Sequence, residues 1–210
     1  MNYIESLNWR YATKKFNSER LIAEDVLERI IESGNLTATS MGLQNLAIVN
    51  VVDPEKRKAL LEHSFGQEQV VDASHLLVLC STIDATESDL DQLIERISKT
   101  RKIPADNLAG YKSMMSGWIG SFKSIEDKQS WLAKQVYIMM GTMLTTCALE
   151  RVDACPMEGF NPAKYDEVLN LEASGLKSVL VLPIGYRSTE CQNQHLKKVR
   201  KSTEEFLYNI

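Results

Sequence analysis

The chain has 210 residues, 44% of them hydrophobic, and a formal net charge of −4. This length and apolar content suffice for one sizeable core, read as a single domain over residues 1–210, and the acidic balance leaves no general attraction to nucleic acid or to an anionic membrane surface. The segment Met1 to Leu7 lacks the basic flank and apolar core of a secretory signal, and no apolar run is long enough to span a bilayer, so the expected location is the cytoplasm.

After a first helix that ends near Arg10, the residues Ile22, Val26, Leu27, Ile30 and Ile31 recur at helical spacing, with Gly34 following as a C-terminal stop. This predicts an amphipathic helix over 22–33. Leu46 to Val52, Leu76 to Thr82 and Ser178 to Tyr186 are continuous apolar runs rich in Val, Leu and Ile, and such runs predict strands buried on both faces. Pro54 to His63 and Glu87 to Lys99 read as polar-faced helices. Lys128 to Glu150 reads as a long helix with little polar interruption after Lys134, placed at the centre of the fold or at a subunit interface. Between Asp84 and Lys128 the chain is polar and helical, is broken by Gly110, Gly117 and Gly120, and carries Tyr111, Met114, Met115 and Trp118. A mobile cover over a pocket and an ordinary surface helical hairpin both fit that composition. Helices outnumber strands and do not alternate with them regularly, so the expected fold class is α+β, a central mixed sheet surrounded by helices.

No P-loop, H-E-x-x-H, G-x-S-x-G or strand-linked G-x-G-x-x-G occurs, which sets aside P-loop kinases and Rossmann dehydrogenases. Cys80, Cys147, Cys155 and Cys191 show no C-x-x-C spacing, and His63, His75 and His195 have no partner at ligand spacing. Neither a structural disulfide nor a metal site is expected. Two basic strings remain, Arg10-Tyr11-Ala12-Thr13-Lys14-Lys15-Phe16 and Lys197-Lys198-Val199-Arg200-Lys201. Arg10 and Lys14 lie four apart, and Lys198 and Arg200 share a face if the second string is extended. Each string alone reads as a solvated charge run. Brought together, they supply the fork and point-charge donors that hold a phosphate.

The order of these strings around Cys155-Pro156-Met157-Glu158-Gly159-Phe160, with Gly185-Tyr186-Arg187 shortly before the second, resembles the nitroreductase family of flavin enzymes over nearly the whole chain. The resemblance implies an intertwined homodimer with one FMN per chain at the interface. Arg10, Lys198 and Arg200 would then be ligands of the FMN phosphate. Lys14 would lie at the pyrimidine edge beside N1 and the C2 carbonyl, where a cation favours the anionic reduced ring. Tyr11 and Ala12 belong to the same segment and are expected to line the cofactor, although Ala12 stands where many relatives carry a Ser that bonds it. Thr39, Ser40 and Gly42 match a loop that reaches the flavin from the partner subunit, with Asn45 and Leu46 in place of a usual Pro and Trp. Gln67 and Gln69 match amide side chains on the flavin's polar edge. Pro156, Met157, Glu158 and Gly159 match the P-x-E-G-F loop, in which a backbone N–H reaches N5; the missing Cβ of Gly159 suits close approach to a planar ring. Tyr111, Met115 and Trp118 are candidate substrate contacts, with core packing as the alternative for each.

The activity so implied is FMN-dependent oxidation of NADH or NADPH, with hydride passing through flavin N5 to a nitroaromatic or quinone-like small molecule in ping-pong order. No acid or base side chain is required, and Lys14 is the residue expected to act on the chemistry itself. A pterin or enone reductase on the same scaffold, or a flavin-binding protein without turnover, is the alternative reading.

Overall fold

The computed structural model describes residues 2–210. Helix α1 (Tyr3–Trp9) starts on a reciprocal cap, in which the Asn2 side chain accepts from the Glu5 N–H and the Glu5 carboxylate accepts from the Asn2 N–H. Helix α2 (Glu24–Asn35) follows, and it runs past Gly34 rather than stopping there. Gly34 is a packing position: a Cβ would lie 3.1 Å from both Ile48 Cδ1 and Met143 Sδ, so its absence lets the helix close onto its neighbours. Strand β1 (Leu46–Asn50) leads through α3 (Pro54–Glu62), capped by the Asp53 side chain, and the single turn α4 (Gln69–Asp72) to β2 (His75–Thr82). The long polar segment then forms α5 (Glu87–Arg101), started by a Thr86–Asp89 capping box, and α6 (Ala109–Ile119). Next come α7 (Ile125–Leu149), capped by Ser124, the two-residue strand β3 (Asp153–Ala154), α8 (Pro162–Leu169), β4 (Leu176–Gly185) and the short α9 (Thr203–Phe206).

The strands form one sheet in the order β1-β2-β4-β3, and every neighbouring pair is antiparallel. This differs from the mixed sheet expected. The helical excursion through α3 and α4 returns the chain to the end of the sheet at which β1 finished, so β2 runs back along it. Parallel pairing among the described residues is confined to the isolated bridge between Ala12 and Ala154. A second difference concerns β1, which is half-buried at every position instead of buried on both faces. It is an edge strand, with β2 on one side only.

Alternation along the central strands builds two cores on opposite faces of the sheet. Leu76, Val78 and Cys80 pack with Leu60 of α3, with Tyr165 of α8 and with Phe160 just before it. Leu77, Leu79, Leu180 and Leu182 pack with Ile30 of α2 and with Val136, Met139 and Met143 of α7. A third cluster joins α5, α6 and α7 through Leu90, Leu93, Met115, Ile119 and Leu132. These cores fix the end of the sheet at which the 10–16, 67–69, 155–160 and 187–200 segments meet.

Candidate functional site

Arg10 caps the C-terminal end of α1, and the folded chain carries Lys198 back to it across 188 positions, where the Lys198 ammonium donates to the Arg10 carbonyl. Arg10, Lys198 and Arg200 line one cavity of about 620 Å³, together with Tyr11, Ala12, Pro156 and Arg187. Burial, then the Arg200 charge, pulls the Arg10 pKa below its usual value. Burial, then Arg10 and Arg200, does the same to Lys198. Three cations therefore share one cavity.

Arg187 forms one wall of that cavity but is already neutralised. Its Nε donates to the buried Asp153 carboxylate at 2.8 Å and its backbone N–H to the same carboxylate at 2.8 Å, while its guanidinium stacks over Trp9 and Tyr11 at 4.3 and 4.6 Å. Burial pushes the Tyr11 phenol well above its usual pKa. The pair was missed in the sequence, where the one signal was a charged residue closing the apolar β4 run.

Beyond Pro156 the polar groups continue in a file. The Thr13 N–H donates to the Ala154 carbonyl at 3.2 Å, which lays the basic segment along β3 and sets Lys14 Nζ 3.5 Å from the Cys155 sulfur. Gln69 Nε2 lies 3.7 Å from the same sulfur and 2.9 Å from Gln67 Oε1, and Gln67 Nε2 donates to the Gly159 carbonyl at 2.8 Å. A Cβ on Gly159 would stand 3.0 Å from Gln67 Nε2, so the closeness of this pair depends on glycine. Burial raises the Cys155 thiol and Lys14 pulls it back. Cys155 is the residue that joins Lys14 to the amides, and no pattern in the sequence marked it for that role. The Glu158 carboxylate accepts from the Tyr137 hydroxyl on α7 at 2.8 Å.

Met157 does not fit a cofactor contact. Its side chain is in the core, and its N–H and carbonyl both pair with Val181 of β4, at 2.9 and 3.1 Å, so neither side chain nor backbone is free. Met115 is likewise withdrawn from the substrate role, since it is fully buried among Leu90, Leu93 and Leu132. Tyr111 donates to the Met41 carbonyl at 2.7 Å and so ties α6 to the 40–42 turn. Trp118, 47% exposed and edge-on to Phe122, is the substrate candidate that remains open.

Thr39, Ser40 and Gly42 lie apart from Arg10 and Lys14 in this chain. The Ser40 N–H donates to Gln135 of α7 at 2.8 Å, and Thr39 lines a separate cavity of about 470 Å³ between α2, β1 and α7 that shares no residue with the basic one. Met41, Gly42 and Gln44 all adopt left-handed backbone, with φ of 54°, 62° and 61°.

The sequence model of the nitroreductase family matches residues 7–186. The chain belongs to the nitroreductase family. YfkO of Bacillus subtilis, whose name places it among NAD(P)H nitroreductases, is 33% identical over 180 residues, covering 82% of this chain and 80% of YfkO. Among solved structures, YdfN of Bacillus subtilis, also named for the family, superposes with a TM-score of 0.87 at 20% identity, covering 99% of this chain and 98% of its own. A family protein of Exiguobacterium sibiricum, solved in complex with FMN, gives a TM-score of 0.83 at 14% identity, covering 100% of this chain and 98% of its own. Family membership makes the chain an oxidoreductase, and the two cavities are to be read in that light.

Proposed function

We propose that this chain is an FMN-dependent NAD(P)H oxidoreductase that reduces nitroaromatic or quinone-like acceptors as a homodimer. The observation that carries the reading is the convergence of Arg10, Lys198 and Arg200 on one cavity, continued through Pro156 to the file of Lys14, Gln69, Gln67 and Gly159. A phosphate would sit among the three cations, with Tyr11 and Ala12 beside it, and a planar polar ring along the file, where Gly159 presents bare backbone. Bound FMN would supply the hydride chemistry, accepting from NADH or NADPH and passing the electrons on. Lys14 would hold its positive charge at the ring edge where negative charge develops, and Trp118 on α6 would bound the acceptor's side of the cleft.

The homodimer is supported by what a single chain leaves open. Thr39 lines a different cavity from the cations, β1 has a free edge, and α7 presents Tyr137 and Ile138 outward. In a dimer the Thr39 to Gly42 loop would reach the partner's site. No helix among the described residues is long and apolar enough to cross a membrane, and a cytoplasmic location, with NAD(P)H at hand, completes the proposal.

One cuvette tests it. The purified protein should be yellow with about one FMN per chain, NADH or NADPH should bleach it anaerobically, and a nitroaromatic or quinone should restore the colour. A protein that takes up no FMN on reconstitution ends the reading, and one that binds FMN but is reduced by neither nicotinamide is a flavin-binding protein instead.

A further inference from the structure

Three of the four residues from Met41 to Gln44 adopt left-handed backbone, and two of them, Met41 at φ 54° and Gln44 at φ 61°, carry side chains that disfavour it. Such a conformation persists only where its surroundings impose it, and it concentrates where a chain clamps a ligand. Here the surroundings are three helices. The Tyr111 hydroxyl of α6 donates to the Met41 carbonyl at 2.7 Å, the Arg96 guanidinium of α5 donates to the Gln44 side-chain carbonyl at 3.0 Å, and Gln135 of α7 accepts from the Ser40 N–H at 2.8 Å. Within the loop, the Thr39 carbonyl and hydroxyl accept from the Gly42 and Gln44 N–H groups at 2.9 and 3.2 Å. The Thr39 hydroxyl thus keeps its own proton to donate, and the Ser40 hydroxyl has no hydrogen-bond partner among the described residues.

None of these fastenings involves the chain's own cations, since Thr39 lines the cavity between α2, β1 and α7 and not the one that holds Arg10, Lys198 and Arg200. The loop is held from behind by its own chain for a site in the other. We infer that Tyr111, seconded by Arg96, is a positioning residue for the flavin of the other subunit: it fixes the left-handed shape in which Thr39 and Ser40 are presented across the interface. This rests on the flavin and dimer reading above, and it adds the side chains, remote from the ring, on which the loop depends. Tyr111 is then a support of the loop and not a contact of the acceptor.

The test is a complementation of two defective chains, read as FMN affinity by fluorescence titration of flavin-stripped protein. The Tyr111→Phe dimer loses one hydroxyl at a half-buried position and should bind FMN about tenfold more weakly than the parent. Co-expression under two affinity tags gives a mixed dimer of one Tyr111→Phe chain and one Arg10→Ala chain. If the loop acts across the interface, both defects fall in one site, so the mixed dimer should hold one FMN with parental affinity and a second about 100-fold more weakly. A merely structural defect, confined to the chain that carries it, gives two weakened sites and none at parental affinity. That result overturns the inference, and so does a Tyr111→Phe dimer that binds FMN like the parent. Arg96 is exposed and its loss leaves the fold intact, so Arg96→Ala should weaken FMN in the same direction and behave alike on mixing. Should Tyr111→Phe lose the parent's far-UV circular dichroism, Arg96→Ala decides alone, with parental affinity or two weakened sites on mixing as the overturning results. A parent that binds no FMN sinks the flavin reading, one that binds it as a monomer sinks the dimer reading, and the inference goes with either.

Discussion

Arg10, Lys198 and Arg200 repel one another across their cavity, and burial adds to the cost of keeping Arg10 and Lys198 charged. A phosphate dianion turns that cost into attraction, so binding and folding respond differently when one cation is removed. Arg200→Ala and Arg10→Ala should each weaken FMN retention about tenfold or more, because a hydrogen bond to a charged group contributes about 1.5–3 kcal/mol. The flavin-free Arg200→Ala chain should melt no lower than the parent, since Arg200 is exposed and its loss relieves repulsion. Equilibrium dialysis and a thermal melt measure the two effects separately; parental affinity in both variants would mean that the two basic strings do not share a phosphate. Lys14 acts on a different quantity. Its ammonium should favour the reduced ring, which carries negative charge near N1 and the C2 carbonyl, over the neutral oxidised one. Lys14→Met should lower the flavin midpoint potential by about 30 mV for each tenfold of differential stabilisation lost and slow reduction by NAD(P)H. An unchanged potential in a spectroelectrochemical titration would make Lys14 a structural charge.

At the scale of elements, the shortest strand has the largest structural consequence. β3 is two residues long, and its Asp153 holds the Arg187 guanidinium and N–H from the end of β4, and lies 3.4 Å from the Thr13 hydroxyl. Removing the carboxylate leaves Arg187 without its partner in a largely buried position, so Asp153→Ala should cost about 3–5 kcal/mol, read as a lower urea midpoint at unchanged slope. Little in the sequence announced this, because two residues have no periodicity. The longer elements were legible: α3 and α5 start at the Pro54 and Glu87 read for them, α7 starts three residues before the Lys128 read for it, and β2 and β4 lie within the apolar runs or a residue or two beyond. Strand direction was not, since each connection is a helical excursion whose point of return is a tertiary property. Nor was the inward stripe of α6, where Met115 and Ile119 are buried and Met114 and Trp118, one residue earlier at the same spacing, face out. Both stripes are apolar, so only the neighbours decide which one packs. In the site, the basic strings were legible as a pattern of charges across the chain, whereas the thiol that links Lys14 to the amides had no pattern to reveal it.

On the scale of the whole molecule, the exposed apolar surface has a consistent distribution. Tyr137, Ile138 and Leu149 project from α7, Phe206, Leu207, Tyr208 and Ile210 lie exposed at the C-terminus, and β1 carries an apolar sequence on a free edge. A second copy that covers α7 would explain why a strand read as buried is only half so in one chain, and it would match the subunit-interface alternative read for the long helix. It would also explain why the Thr39 to Gly42 turn is anchored to α7 through Gln135 and to α6 through Tyr111, away from the chain's own cations. Ile138→Asp tests the coupling. Ile138 is 48% exposed and outside the three cores, so a carboxylate there leaves the folded chain intact, yet in an interface it would be buried without a partner. The variant should run as a monomer by light scattering, keep the parent's far-UV circular dichroism and cooperative melt, and lose FMN on dilution because the loop supplied by the partner is gone. A monomer that holds FMN as tightly as the parent would show that the site is complete within one chain, and a variant that stays dimeric would move the interface off this face of α7.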